Sequence, residues 1–336
     1  MHTLKKSKKL LVTVLLVMVL STVLLGCQQQ AKKWRFHWPQ RLVTDAKGNV
    51  YIVDTIINHT KEAGDPDRHV KDVILKVAPS GHLIELFDLG KRSVADLAVS
   101  PRGNIYFYGY HGNSDILAKI EPGSKKITKL PVPRIKGRIP RGLAVDNNDN
   151  IYLAFDWDFV SPDKTGRIVK LSGNGRLLAA WKPSHRFLIG DLSLPYIKFI
   201  TSNNANSIYV SLYVGPGTHG SQSFERFTPA GKGVLLPLRI QDWAISFAVD
   251  KNANFYVPSA GGPAKQVTPQ GTVTGQFGSQ KLSPTSIAVA GQHLFILVDA
   301  TDVDQHINKY VYKHSLGGKL LSKWQGVSAG GPMAAN

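Results

Sequence analysis

The chain of 336 residues holds a single cysteine, Cys27, directly after Leu24-Leu25-Gly26. No disulfide can form, so this thiol is present for chemistry of its own. The other groups able to do chemistry are imidazoles and carboxylates outside the apolar runs: His59, His111, His219 and His306, with Asp54, Asp156 and Asp299 where such runs end. Imidazole and carboxylate suit zinc and similar divalent metals. A metal held by His59, His111, His219 and His306 could activate water or polarise a carbonyl. Against this, no two histidines stand at His-x-x-x-His spacing. Arg134, Lys136, Arg138 and Arg141 crowd one short stretch and suit an anionic ligand without any reaction. The chain has no Gly-x-Ser-x-Gly elbow and no glycine-rich phosphate loop.

The segment before Cys27 has the build of an export signal. Lys5, Lys6, Lys8 and Lys9 precede the run Leu10–Leu20, which is apolar apart from Thr13. A basic start and a short apolar stretch describe a secretory signal; with Ser21 and Thr22 interrupting it, the stretch is a marginal membrane span. Leu24 to Cys27 resembles the lipobox of bacterial lipoproteins: an aliphatic residue at −3, a small one at −1, then cysteine. Leu25 at −2 is bulkier than the usual choice. The resemblance implies cleavage before Cys27 and a diacylglyceryl thioether on its sulfur, with fatty chains of the palmitate kind. Two or more acyl chains anchor stably where one does not. The expectation is a signal over 1–26, a lipidated tether over 27–40, and location at the outer face of the cell membrane.

Formal charge is +18, of which the four signal lysines supply +4, leaving +14 on the mature chain. Such a charge favours anionic surroundings such as phospholipid headgroups or wall polyanions. Its plainest reading is a solvated basic surface beside an anionic membrane. No nucleic-acid module is recognisable, so no specific nucleic-acid partner is expected.

The elements that must position these groups repeat along the chain. A tight turn followed by a strand opening on an aromatic recurs at Asp45–Tyr51, Ser100–Tyr106 and Asp146–Tyr152, and more loosely at Ser202–Tyr209, Asp250–Tyr256 and Ala290–Phe295. Each copy has a second turn, such as Ala78-Pro-Ser-Gly81 or Thr228-Pro-Ala-Gly231, whose Gly and Pro supply the needed backbone angles. The third copy gives the unit: strands over 142–145, 151–155, 167–171 and 177–181. Four-stranded units of about 40–50 residues are the signature of a β-propeller. The expected fold is all-β, a six-bladed propeller of four-stranded antiparallel blades over 41–326, with a loose tail over 327–336. The six aromatics, alike in every blade, are expected to pack blade on blade. Trp34-Arg-Phe-His-Trp38 alternates like a strand that could close the ring against the last blade, yet Leu320–Trp324 already supplies a fourth strand there.

Arg141-Gly-Leu-Ala-Val-Asp-Asn-Asn-Asp-Asn-Ile-Tyr152 resembles the NHL repeat, and Asp45–Asp54 is similar to its second half. The resemblance implies the propeller fold. Its members include protein-interaction scaffolds, sugar-lactone hydrolases and lyases, so it implies no single reaction. Some such lyases use histidines at the propeller mouth. No acidic calcium-ligand set of the lactonases aligns onto this chain.

In such blades the a–b and c–d turns lie at one end, and the longer b–c and d–a loops at the other. Loops on a rigid scaffold are where sites form. The expected ligand-binding mouth therefore gathers Asp54, His59, His111, Arg138, Arg141, Asp156, His219, Asp299 and His306. The expected function is a membrane-anchored binding or scaffold module for a protein, peptide or anionic envelope ligand. The alternative is a metal-assisted lyase or hydrolase at the same mouth, with a divalent metal as its cofactor.

Overall fold

A computed structural model describes residues 33–57, 69–112, 114–133, 140–155, 166–183, 196–202, 206–214, 221–240, 246–259, 262–279, 283–301 and 307–328. Every regular element among them is a β-strand. The first, β1 (Lys33–Arg35), precedes the blades. Blade one is β2 (Pro39–Thr44), β3 (Val50–Ile57), β4 (His69–Val77) and β5 (Leu83–Asp88). Blade two is β6 (Arg92–Val99), β7 (Ile105–His111), β8 (Ser114–Ile120) and β9 (Ile127–Leu130). Blade three is β10 (Pro140–Val145), β11 (Ile151–Phe155), β12 (Arg167–Leu171) and β13 (Leu177–Trp181). Blade four is β14 (Tyr196–Ser202), β15 (Ile208–Val214), β16 (Ser221–Phe227) and β17 (Gly233–Ile240). Blade five is β18 (Ala248–Val249), β19 (Phe255–Val257), β20 (Ala264–Val267) and β21 (Val273–Phe277). Blade six is β22 (Ser283–Ala290), β23 (His293–Thr301), β24 (Ile307–Ser315) and β25 (Leu320–Trp324), and β26 (Gly326–Ser328) follows. Each blade pairs its strands in chain order, so the protein is a six-bladed propeller of antiparallel four-stranded sheets.

The same local chemistry builds blades one, three and five. In the first turn, one oxygen of Asp45 accepts from the amides of Lys47 and Asn49, and the other from the Asn49 side chain and the Tyr51 hydroxyl. Asp146 does the same with Asn148, Asn150 and Tyr152, and Asp250 with Asn252, Asn254 and Tyr256. The spacing Asp-x-x-x-Asn-x-Tyr is thus a folded network. It fixes the turn and places a tyrosine ring in the seam with the next blade.

The core is the set of these seams. Tyr51 packs with blade two, and Tyr106 lies between blades two and three. Tyr152, Tyr209 and Tyr256 fill the following seams, and Phe295 closes against blade one. All six rings are buried, as the repeat led us to expect. Opposite four of them a third-strand lysine lies over the ring: Lys76 on Tyr51, Lys119 on Tyr106, Lys170 on Tyr152 and Lys313 on Phe295. Lys170 also donates to the Pro229 carbonyl in the second turn of the next blade, and Lys313 does the same to Pro79. Lys170 and Lys313 thus fasten neighbouring blades. Part of the basic charge is therefore structural. Gly231, at φ +87°, shows how close the seams are, because a Cβ there would come within 3.0 Å of the Trp181 ring.

Burial first, and the Asp45, Asp146 or Asp250 carboxylate second, hold the hydroxyls of Tyr51, Tyr152 and Tyr256 well above the ordinary phenol range. Burial does the same to Tyr106 and Tyr108. The folded state keeps these protons while the unfolded chain releases them near its ordinary value. Stability is thus complete below about pH 10 and falls above it, by ~1.4 kcal/mol per pH unit for each tyrosine. Alkaline titration should show two phases. Exposed tyrosines such as Tyr110 ionise first with the sheet signal intact, and the buried ones ionise at higher pH together with loss of β-sheet circular dichroism, in one cooperative step. Ionisation of all eleven tyrosines near pH 10 with the sheet signal intact would contradict the packing.

The ring is closed by both elements that the sequence put in competition. Leu320–Trp324 is the fourth strand of blade six, and β1 pairs antiparallel with β26 beyond it, Trp34 opposite Val327. Trp34 and Phe36 pack on the core between blades six and one. Residues 33–38 therefore form a strap over that seam. The segment 327–336, expected to be loose, contributes Val327 and Ser328 to this pairing.

Candidate functional site at the axial channel

The first strand of each blade faces the axis, and together they enclose a channel of about 170 Å³. At the loop end, a register shift interrupts most of these strands, between Pro39 and Arg41, Val94 and Asp96, Pro140 and Gly142, and Pro284 and Ser286. A bulge of this kind re-aims the residue that follows it. The residues so placed are Arg41, Asp96, Gly142 and Ser286, and a shift between Ile197 and Phe199 gives blade four the same interruption. In blade five the nearest counterpart is Ser246, which lines the same channel.

Arg41 and Asp96 form an ion pair, Nε to Oδ1 at 2.7 Å. Asp96 is buried; it also accepts from its neighbour Leu97 at 2.8 Å and from the Leu143 amide at 2.7 Å. One carboxylate thus joins blades one, two and three. Burial pushes the Asp96 carboxyl above the usual range, while Arg41 and the two amides pull it back without reversing the direction. Asp72 ties blade one to blade two in the same manner, accepting from the Thr55 hydroxyl and the Val94 amide, each at 2.7 Å. At the closing seam the Ser286 hydroxyl accepts from the Leu42 amide at 3.1 Å. The Ser246 hydroxyl is buried on the channel wall with no hydrogen-bond partner among the described residues. Among the described residues, no three His, Cys, Asp or Glu side chains gather as metal ligands do.

The expected mouth residues divide into three groups. Asp54 is fully buried, and the strap occupies it. It accepts from Trp34 Nε1 at 2.8 Å and from the amides of His37 and Trp38 at 3.1 and 2.8 Å, with His37 Nδ1 3.3 Å away. Asp299 pairs with Lys309 at 2.5 Å, and Lys309 Nζ lies 4.3 Å from the centre of the Trp38 ring. Asp54 and Asp299 are thus brought to the same strap, where they hold chain rather than offer an open ligand position. His111 and Arg141 are exposed at the loop ends of β7 and β10, with Arg141 the extra residue of its bulge. His59, Arg138, Asp156, His219 and His306 lie outside the described residues.

Sequence reasoning missed Arg41 and Asp96. A signal existed: Asp96-Leu-Ala-Val99 parallels Gly142-Leu-Ala-Val145, so a carboxylate stands where another blade has glycine.

No family model matches the chain, and no curated protein does. Solved structures match in fold. A gluconolactonase from Xanthomonas campestris aligns over 79% of this chain and 84% of its own, at 13% identity and a TM-score of 0.52. An acylaminoacyl peptidase from Pyrococcus horikoshii aligns over 85% of this chain at 12% identity and a TM-score of 0.50, and the chain spans about half the peptidase, 47%. Likeness at this identity concerns the fold alone.

Proposed function

We propose that the protein is an exported lipoprotein, cut before Cys27 and held by lipid on that cysteine at the outer face of the cell membrane. Its propeller serves as a binding module for a protein, a peptide or an anionic envelope ligand. The lysine-led apolar segment and Leu24-Leu25-Gly26-Cys27 support the anchorage.

The observation that favours binding over catalysis is the Arg41–Asp96 pair. It stands at the loop end of the axis, where side chains from successive blades converge. The Asp96 oxygens are engaged by Arg41, Leu97 and Leu143. A cation there would face a guanidinium, and removing the carboxylate from its partners would loosen three blades.

Calorimetric titration of the mature domain with calcium and with zinc tests this reading. It predicts no saturable one-to-one heat and an unchanged Tm. A stoichiometric isotherm with raised stability, about 2.7 kcal/mol at a hundredfold excess over Kd, would overturn it and favour the alternative of a metal-assisted lyase or hydrolase.

A further inference from the structure

The strap fixes where a lipid on Cys27 leaves the propeller. Asp54 holds the strap at the end of β3 opposite the Asp45–Asn49 turn, which is the loop end of blade one. The pairing of β1 with β26 and the Trp38–Lys309 contact hold it at the same seam. Five residues lie between Cys27 and Lys33. Fully extended, that stretch reaches about 20 Å. The loop end thus stays close to whatever holds the lipid.

The surface at this end has a matching chemistry. Among the described side chains, the exposed aromatics are Trp38 on the strap and Tyr110 at the end of β7. Both belong to the loop end. Tryptophan and tyrosine favour the headgroup level of a bilayer, where one part of the ring is dry and the other wet. Exposed Arg35 and Lys91 lie at the same end, and basic groups near an anionic leaflet gain about 1 kcal/mol each. The exposed aliphatics elsewhere, such as Leu177 and Val273, belong to outer strands.

We propose that the propeller stands on the membrane with its loop end against the anionic phospholipid surface, Trp38, Tyr110, Arg35 and Lys91 forming the contact. The opposite mouth of the channel, bordered by the turn residues Ala46, Pro101, Asn147, Lys251 and Gly291, opens away from the bilayer. Orientation rests on the lipid anchorage proposed above. It restricts partners at the loop end to those carried by the membrane, and leaves the turn end for partners arriving from outside.

The lipidated protein carries no free thiol, so a single added cysteine can be labelled cleanly. Lys91→Cys and Lys47→Cys place a donor dye at the loop end and the turn end respectively. The lipidated variants are reconstituted in phosphatidylglycerol vesicles with a headgroup-labelled acceptor. Energy transfer should be clearly stronger from position 91 than from position 47. Equal transfer, or stronger transfer from position 47, overturns the orientation. A protein that does not enter the vesicles at all defeats the anchorage instead, so the two failures are separable. As a second measurement, the lipid-free Cys27→Ser form should bind these vesicles weakly and in a salt-sensitive way. Tyr110→Ala combined with Lys91→Gln should lower that binding severalfold, while Lys47→Gln with Lys251→Gln leaves it unchanged. The reverse ranking would count against the contact surface.

Discussion

Asp54→Ala should cost the protein ~3–5 kcal/mol of stability, because three donors of the strap lose their acceptor at one buried point. The Trp34 indole and the amides of His37 and Trp38 all converge on that carboxyl. Without it, residues 33–38 lose their hold on blade one, and the β1–β26 pairing becomes a short two-stranded ribbon without support. Trp34 and Phe36 then leave the core between blades six and one. Urea unfolding measures the loss, and trypsin reports the release, since Lys33 and Arg35 become cleavable under native conditions. Asp54→Asn keeps one acceptor oxygen and should cost about 1–2 kcal/mol. An Asp54→Ala protein within about 0.5 kcal/mol of the parent, with its strap still protected from trypsin, would refute the role given to this residue.

This role also shows what could be read in advance. The blades were legible because their signals are local. Asp-x-x-x-Asn-x-Tyr closes within seven residues, and every turn carries its own Gly, Asn or Pro, so the third blade's four strands follow from the residues alone. The repeated aromatics were legible for the same reason, as equal places in equal units. What the sequence concealed depends on partners far along the chain. Asp54 ends its apolar run as a mouth carboxylate would, and nothing nearby shows that Trp34, His37 and Trp38 will reach it. Arg41 and Asp96 are 55 positions apart and meet only because two bulges face one axis. The lysines of the third strands were overlooked although their placing is regular. Lys76, Lys119, Lys170 and Lys313 each stand two residues before a second turn, and were counted as surface charge. The aromatic across the strand, and for Lys170 and Lys313 a carbonyl of the next blade, become partners only once strands pair and blades stack.

The strap changes the meaning of the anchor as well. In the anchorage proposed above, the chain is fixed to the propeller at Lys33 rather than near Arg41, so the tether between lipid and fold shortens to the few residues after Cys27. A lipid held that closely constrains orientation as well as location.

The most direct measurement is the membrane partition of the full-length chain with and without its one cysteine. Two or more acyl chains give stable attachment, whereas a domain held by basic and aromatic surface alone dissociates in salt. The parent protein should therefore remain in the membrane fraction through washes of high salt and carbonate, and leave it only in detergent. A Cys27→Ser protein whose apolar segment is removed at an engineered cleavage site should leave that fraction under the same washes, because a retained segment would hold it without any lipid. A parent protein that still carries residues 1–26 in the membrane, or a cleaved Cys27→Ser protein that stays there as firmly as the parent, would contradict the account.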